Sequence, residues 1–108
     1  MLKIDNKAIT MDKGDYGLPL VMRIVKNNGL ISNEDTVKIR IKHNEDIIVE
    51  KEYKGLSTDE NDILYFTFSL TKEESAKLTE KNYKYEVEAY RDGVYLNTLS
   101  KDDDFIIR

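Results

Sequence analysis

The chain contains no cysteine. That absence removes disulfides, thiolate metal sites and thiol redox chemistry, and it fits folding in a reducing compartment. A single histidine, His43, excludes a zinc centre of the His and Cys type and a Cys-His catalytic pair. No Gly-rich phosphate loop and no Gly-x-Ser-x-Gly elbow occurs. No basic block is present either. Seventeen Lys and Arg stand against twenty-one Asp and Glu, a net charge of -4 spread along the chain, so nothing is arranged to displace counterions from nucleic acid. No apolar run approaches the ~18 residues of a membrane span. The opening Met1-Leu2-Lys3-Ile4 lacks the apolar stretch of a secretory leader. The expected partners therefore include neither nucleic acid nor a membrane.

What remains is ample for folding. Thirty of the 108 residues are Leu, Ile, Val or Phe, well above the level at which a charged chain stays disordered. A chain of this length hides roughly two thirds of its unfolded surface, which supports one core without a staple. A single domain over residues 1–108 is expected.

Strict alternation dominates the pattern. Thr36 to Lys42 places Val37, Ile39 and Ile41 on one side and polar residues on the other, as a half-buried antiparallel strand requires. Tyr83 to Tyr90 repeats this with Tyr83, Tyr85, Val87 and Ala89 inward, and residues 62–69 bury Leu64, Phe66 and Phe68. Further strands are expected at Leu20 to Lys26, Ile47 to Tyr53, Val94 to Leu99 and Asp104 to Ile107, with a ragged one at Ala8 to Met11. Seven or eight short strands separated by turns such as Asn27-Asn28-Gly29 and residues 57–61 read as an all-β sandwich or small barrel. Thr71-Lys72-Glu73-Glu74 is a capping box and predicts one helix of at most about two turns. The hydrophobic staple is absent, since Ser75 stands where a partner for Leu70 belongs.

Two hairpins can be set in register. Asp92-Gly93 suits a two-residue turn with positive φ at both positions. It pairs Arg91 with Val94, Tyr90 with Tyr95, Ala89 with Leu96, Glu88 with Asn97 and Val87 with Thr98. Around His43 to Asp46, an even loop would pair Ile39 with Glu50 on the buried face. Burying an unpaired carboxylate is expensive, so an odd loop is expected, with Ile41 opposite Ile47, Ile39 opposite Val49, and Lys38 beside Glu50 outside.

Candidate chemistry is sparse. His43 sits in the hairpin loop with no nucleophile or orienting carboxylate nearby in sequence, and reads as a solvated turn residue. Three acidic groups, Asp102-Asp103-Asp104, Asp12 with Asp15, and Asp59 to Asp62, lack the ligand spacing of a calcium loop. No catalytic residue, cofactor or metal is assigned, and a 108-residue sandwich leaves little room for a carboxylate-pair glycosidase cleft. The informative feature is apolar material at outward positions: Ile63, Tyr65, Tyr90, Tyr95 and Leu99. These are the candidate protein-interface residues, given the enrichment of Tyr at interfaces. Cross-strand pairing on a solvated sheet and stacking on sugar rings are the competing readings.

The order of several segments resembles a known group. It runs Ile9-Thr-Met-Asp-Lys-Gly-Asp-Tyr16, then Asn33 to Lys42, Phe68-Ser-Leu-Thr-Lys-Glu-Glu74, Tyr83-Lys-Tyr-Glu-Val-Glu88, Asp92-Gly93 and Phe105-Ile-Ile107. It is similar to the small immunoglobulin-like virion proteins and N-terminal modules of tailed phages and prophages, including those like the upper baseplate protein of phages of Gram-positive hosts. The resemblance implies an immunoglobulin-like antiparallel β-sandwich with one short helix. It also implies a non-enzymatic structural role in the tail or baseplate, contacts with other virion proteins in multiple copies, and synthesis in the bacterial host cytoplasm before incorporation into the virion. Capsid decoration by the same fold and a glycan-binding module are the alternatives.

Overall fold

The computed structural model describes residues 1–25 and 30–108; the expected turn at Asn27-Asn28-Gly29 and the end of the expected strand at Lys26 lie outside them. Two sheets form an all-β sandwich. The larger contains β1 (Leu2–Asp5), β2 (Ala8–Met11), β4 (Thr36–His43), β5 (Asp46–Lys54), β8 (Asn82–Arg91) and β9 (Val94–Ile107), in the order β1-β2-β9-β8-β4-β5. The smaller contains β3 (Leu20–Ile24), β6 (Ser57–Thr58) and β7 (Leu64–Phe68), in the order β3-β7-β6. Helix α1 (Lys72–Ala76) bridges β7 and β8. All pairings are antiparallel except β2 with the end of β9, where Ile9 lies opposite Phe105 and Met11 opposite Ile107.

The alternation expected from the sequence sets the core. Val37, Ile39, Ile41, Tyr83, Tyr85, Val87 and Ala89 are buried from the large sheet, and Leu64, Phe66 and Phe68 from the small one. Phe68 meets Phe105 edge-on across the sandwich at 6.4 Å between ring centres, and Tyr53 meets Phe66 at 5.2 Å. The capping box forms as expected: the Glu74 amide donates to the Thr71 hydroxyl at 3.1 Å, and the Thr71 amide donates to the Glu74 carboxylate at 2.8 Å. Ser75 and Leu70 are both buried.

Several details differ from expectation. Strands β1 and β6 carry too little apolar alternation to stand out, and the Asn6-Lys7 turn that joins β1 to β2 has positive φ at both residues without a glycine. The stretches Val94 to Leu99 and Asp104 to Ile107 are one continuous strand, β9, whose extra length is absorbed by three register shifts against β8. The Asp92-Gly93 turn forms with φ of 52° and 77°, and Arg91 pairs with Val94 and Tyr90 with Tyr95. Beyond that point a bulge intervenes. Ala89 lies opposite Asn97, Glu88 opposite Thr98 and Val87 opposite Ser100, not Leu96, Asn97 and Thr98 as the unbroken ladder required.

The second hairpin solves its register problem by another route. Its turn is the two-residue Asn44-Glu45, both at positive φ, with His43 opposite Asp46. Continued regularly, that even turn would bring Glu50 opposite buried Ile39. A bulge at Ile41/Lys42 inserts Ile48, so Ile41 faces Val49 and Arg40 faces Glu50. Lys38 therefore lies opposite Glu52 rather than Glu50, and Ile47 is exposed beside Lys42. The cost of burying a carboxylate governs the register as argued; the bulge, not an odd loop, delivers it.

One buried charge anchors the chain entering β4. Asp35 is 2% exposed and accepts a two-pronged contact from Arg91, Nε at 2.8 Å and Nη2 at 2.7 Å, together with the Ser32 amide at 2.9 Å. The Arg91 contact holds the Asp35 carboxyl below its ordinary range, against the opposing effect of burial.

Candidate functional site

The outer face of the large sheet is a lattice of opposite charges. Arg40, on β4, donates from Nε to Glu50 on β5 at 2.5 Å, from Nη1 to Glu88 on β8, and from Nη2 to the Tyr90 hydroxyl at 3.1 Å. The Tyr90 hydroxyl in turn donates to Glu88 at 3.0 Å. Lys42 pairs with Glu86 at 3.1 Å and Lys84 with Asp104 at 2.5 Å. Burial works against both charges of the central pair. The hydrogen bonds that Arg40 donates to Tyr90, Glu88 and Glu50 nevertheless raise its pKa, and the Arg40 contact lowers that of Glu88.

Tyr90 is therefore held in place rather than left free. Lys38 Nζ lies 4.7 Å from its ring centre, a cation–π contact of about 0.5–1 kcal/mol at an exposed site. Tyr95 meets the same ring edge-on at 6.1 Å, a pair contributing roughly 0.5–1.5 kcal/mol beyond area burial. Tyr95 itself remains 52% exposed, with its hydroxyl 2.6 Å from that of Thr98, and the neighbouring Val94 is 66% exposed. The tip of the β8–β9 hairpin thus presents an aliphatic and an aromatic side chain on a rigid base.

The other expected interface residues lie elsewhere. Tyr65 belongs to the small sheet and Ile63 immediately precedes its strand β7, on the opposite side of the molecule from the Tyr90–Tyr95 face, and both are half-buried. Tyr65 lies opposite Arg23 and Ser57. Leu99 packs against the core, because the bulges of β9 turn it inward. The five candidates consequently fall on two separate surfaces and, for Leu99, against the core.

His43 is not a loop residue. It ends β4 half-buried, with Nδ1 3.4 Å from the Asn82 carbonyl and its ring 5.6 Å from that of Tyr83. Each acidic group has a local partner. Asp59 Oδ1 accepts from the Asn61 and Ile63 amides, while Oδ2 faces Arg23 at 3.5 Å. The Met1 ammonium donates to both Asp12 and Asp15, and the Ser100 hydroxyl donates to Asp103. Among the described residues, no three His, Cys, Asp or Glu side chains are grouped so as to hold a metal ion, and no helix is long and apolar enough to cross a membrane.

Sequence reasoning missed a cleft of about 320 Å³ between β3 and the bulged first half of β9. Its floor is apolar, formed by Met22, Phe66, Val87 and Leu99, and its mouth carries Asn97 and Thr98. Tyr85 closes one end: its hydroxyl donates to the Lys7 carbonyl at 2.5 Å, and burial pushes its pKa up to about 12. The charge-free run from Gly93 to Ser100 is no distinct signal of the cleft, since Ile63 to Thr71 is charge-free over a longer stretch. Scans against protein-family models and searches of curated proteins and of solved structures found no match to this chain.

Proposed function

We propose that the protein is a non-enzymatic structural component of a tailed phage or prophage particle, a small assembly or adaptor module of the tail or baseplate region. The order of its motifs, from Ile9–Tyr16 through Phe105–Ile107, supports the reading, as does an all-β sandwich of the kind the resemblance implies. The observation that carries the contact role is the β8–β9 hairpin tip. Tyr95 and Val94 stand exposed there on a base fixed by Tyr90, Lys38 and Arg40, so a partner docking on them has little side-chain entropy to remove. Rigid aromatic anchors of this kind dominate interface energetics.

Mass spectrometry of purified particles, with tails separated from heads, tests the role. The protein is expected in the tail fraction in several copies; its absence from intact particles defeats the proposal, and its presence in heads alone moves the role to capsid decoration. Tyr95→Ser is expected to leave the chain folded, with a thermal midpoint lower by a few degrees from the lost contact with Tyr90, while reducing incorporation.

A further inference from the structure

The small sheet is three strands wide against six in the large one, with β3 and β6 as its outer strands. Of these β3 is a free edge: among the described residues it pairs only with β7, and no backbone hydrogen bond reaches its other side. The cleft lies along that free edge, at the lower end of the roughly 300–1,000 Å³ of ligand sites. An unpaired strand beside an apolar cleft has the two parts of strand addition: backbone groups for affinity, and pockets for alternate side chains. Unlike β9, whose three register shifts bend it away from regular pairing, β3 pairs with β7 without a break.

We infer that the free edge of β3 accepts an extended segment of a partner protein, apolar at alternate positions and flanked by carboxylates, which adds a fourth strand to the small sheet and fills the cleft. The charge preference comes from the rim. In a chain of net charge -4, the charged residues lining the cleft among the described residues are Lys7 and Arg23, both cationic. Arg23 is 54% exposed and shares only a 3.5 Å contact with Asp59, and Lys7 has no ion pair among the described residues. The acidic chain as a whole disfavours a second copy as occupant. At roughly 3.3 Å per residue, the five residues of β3 offer about 17 Å of edge, enough to seat the alternate side chains of a short segment.

The inference deepens the assembly role and takes its biological sense from it. Its test uses the isolated full chain, so it stands or falls separately from the particle mass spectrometry. The probes are the peptide Glu-Val-Thr-Ile-Thr-Val-Glu, capped at both ends, and the same peptide with Lys at both flanks. Titration with amide hydrogen exchange read by NMR is expected to show protection confined to 20–24 and its cleft neighbours, with the Glu-flanked peptide binding at least about tenfold tighter. Asn97→Trp, which fills the mouth, is expected to abolish binding. The exposed double substitution Lys7→Glu with Arg23→Glu, which spares the core, is expected to reverse the peptide preference. No protection on β3, equal affinity for both peptides, or unchanged preference in the double variant overturns the inference. So does a dimer by sedimentation with β3 protected in the absence of peptide, which would make a second copy the occupant.

Discussion

The two open sides of the sandwich are finished in opposite ways. On the side of β5, Lys51 points inward from the edge strand and crosses the gap to donate to the Ser69 carbonyl at 2.5 Å and to Glu74 of the helix cap at 2.8 Å. Tyr53 lies beside it, its ring on Phe66 and its hydroxyl accepting from the Ser69 amide at 3.4 Å. An inward charge on an edge strand both closes the seam and makes pairing with another strand expensive. On the side of β3 and β9 no such charge crosses among the described residues, and a cleft remains. Within one fold, then, the contacts of Lys51 and Tyr53 close one side while the other keeps an open cleft.

Packing makes the sharpest break between the two sides. Phe68→Ala, in the fully buried layer, is expected to cost about 3–5 kcal/mol in urea denaturation. Met22→Ala, already beside empty space, should fall near the low end of its class at about 2 kcal/mol. Equal losses would mean that the cleft is no less tightly packed than the sealed side.

The ionic anchors come next. Asp35→Ala removes the acceptor of two Arg91 contacts and the Ser32 amide, and is expected to cost about 1–3 kcal/mol. Acid acts in the same direction. Asp35 and Glu74 both have folded pKa values below their ordinary ones. In Glu74, burial raises the value, but the Lys51 ammonium and the Thr71 amide outweigh it. A depressed folded pKa adds stability that is present above the unfolded value, near 4, and lost as pH falls through the folded one. Thermal midpoints should hold from neutral pH to about pH 5 and fall below about pH 4, with a shallower fall in Glu74→Gln.

Lys51→Ala is expected to cost about 1 kcal/mol, since the ion pair is only partly shielded from water. Its clearer signature is a new tendency to self-associate through β5 in sedimentation at high protein concentration. The smallest effect belongs to the open side: Thr98→Val, at the cleft mouth, gives up the exposed contact with the Tyr95 hydroxyl and should cost about 0.5 kcal/mol. A large loss there would show that the open side is structurally committed and not spare.

Strand faces were legible because alternation is local. Val37-x-Ile39-x-Ile41 and Tyr83-x-Tyr85-x-Val87-x-Ala89 admit one inward side, and the Thr71 to Glu74 spacing admits one cap. Bulges were not legible. A bulge such as the one that brings Ile41 opposite Val49 depends on which of several registers buries the most apolar surface against the other sheet. The interface candidates suffered for the same reason. Tyr90 and Tyr95 were placed side by side correctly, because their positions follow from the turn between them. Bulges turn Leu99 inward, and strand patterns alone do not assign Tyr65, or Ile63 just before its strand, to a different sheet.

The absence of cysteine and of any histidine cluster, the alternating strands and the capped turn were decided by the sequence, since each depends on residue type or on spacing within a few positions. Which edge is sealed by Lys51, which is left open beside a cleft, and where the aromatic residues come together were decided only by the tertiary structure. They depend on strand order, register and the unequal widths of two sheets, all of which are set by long-range packing.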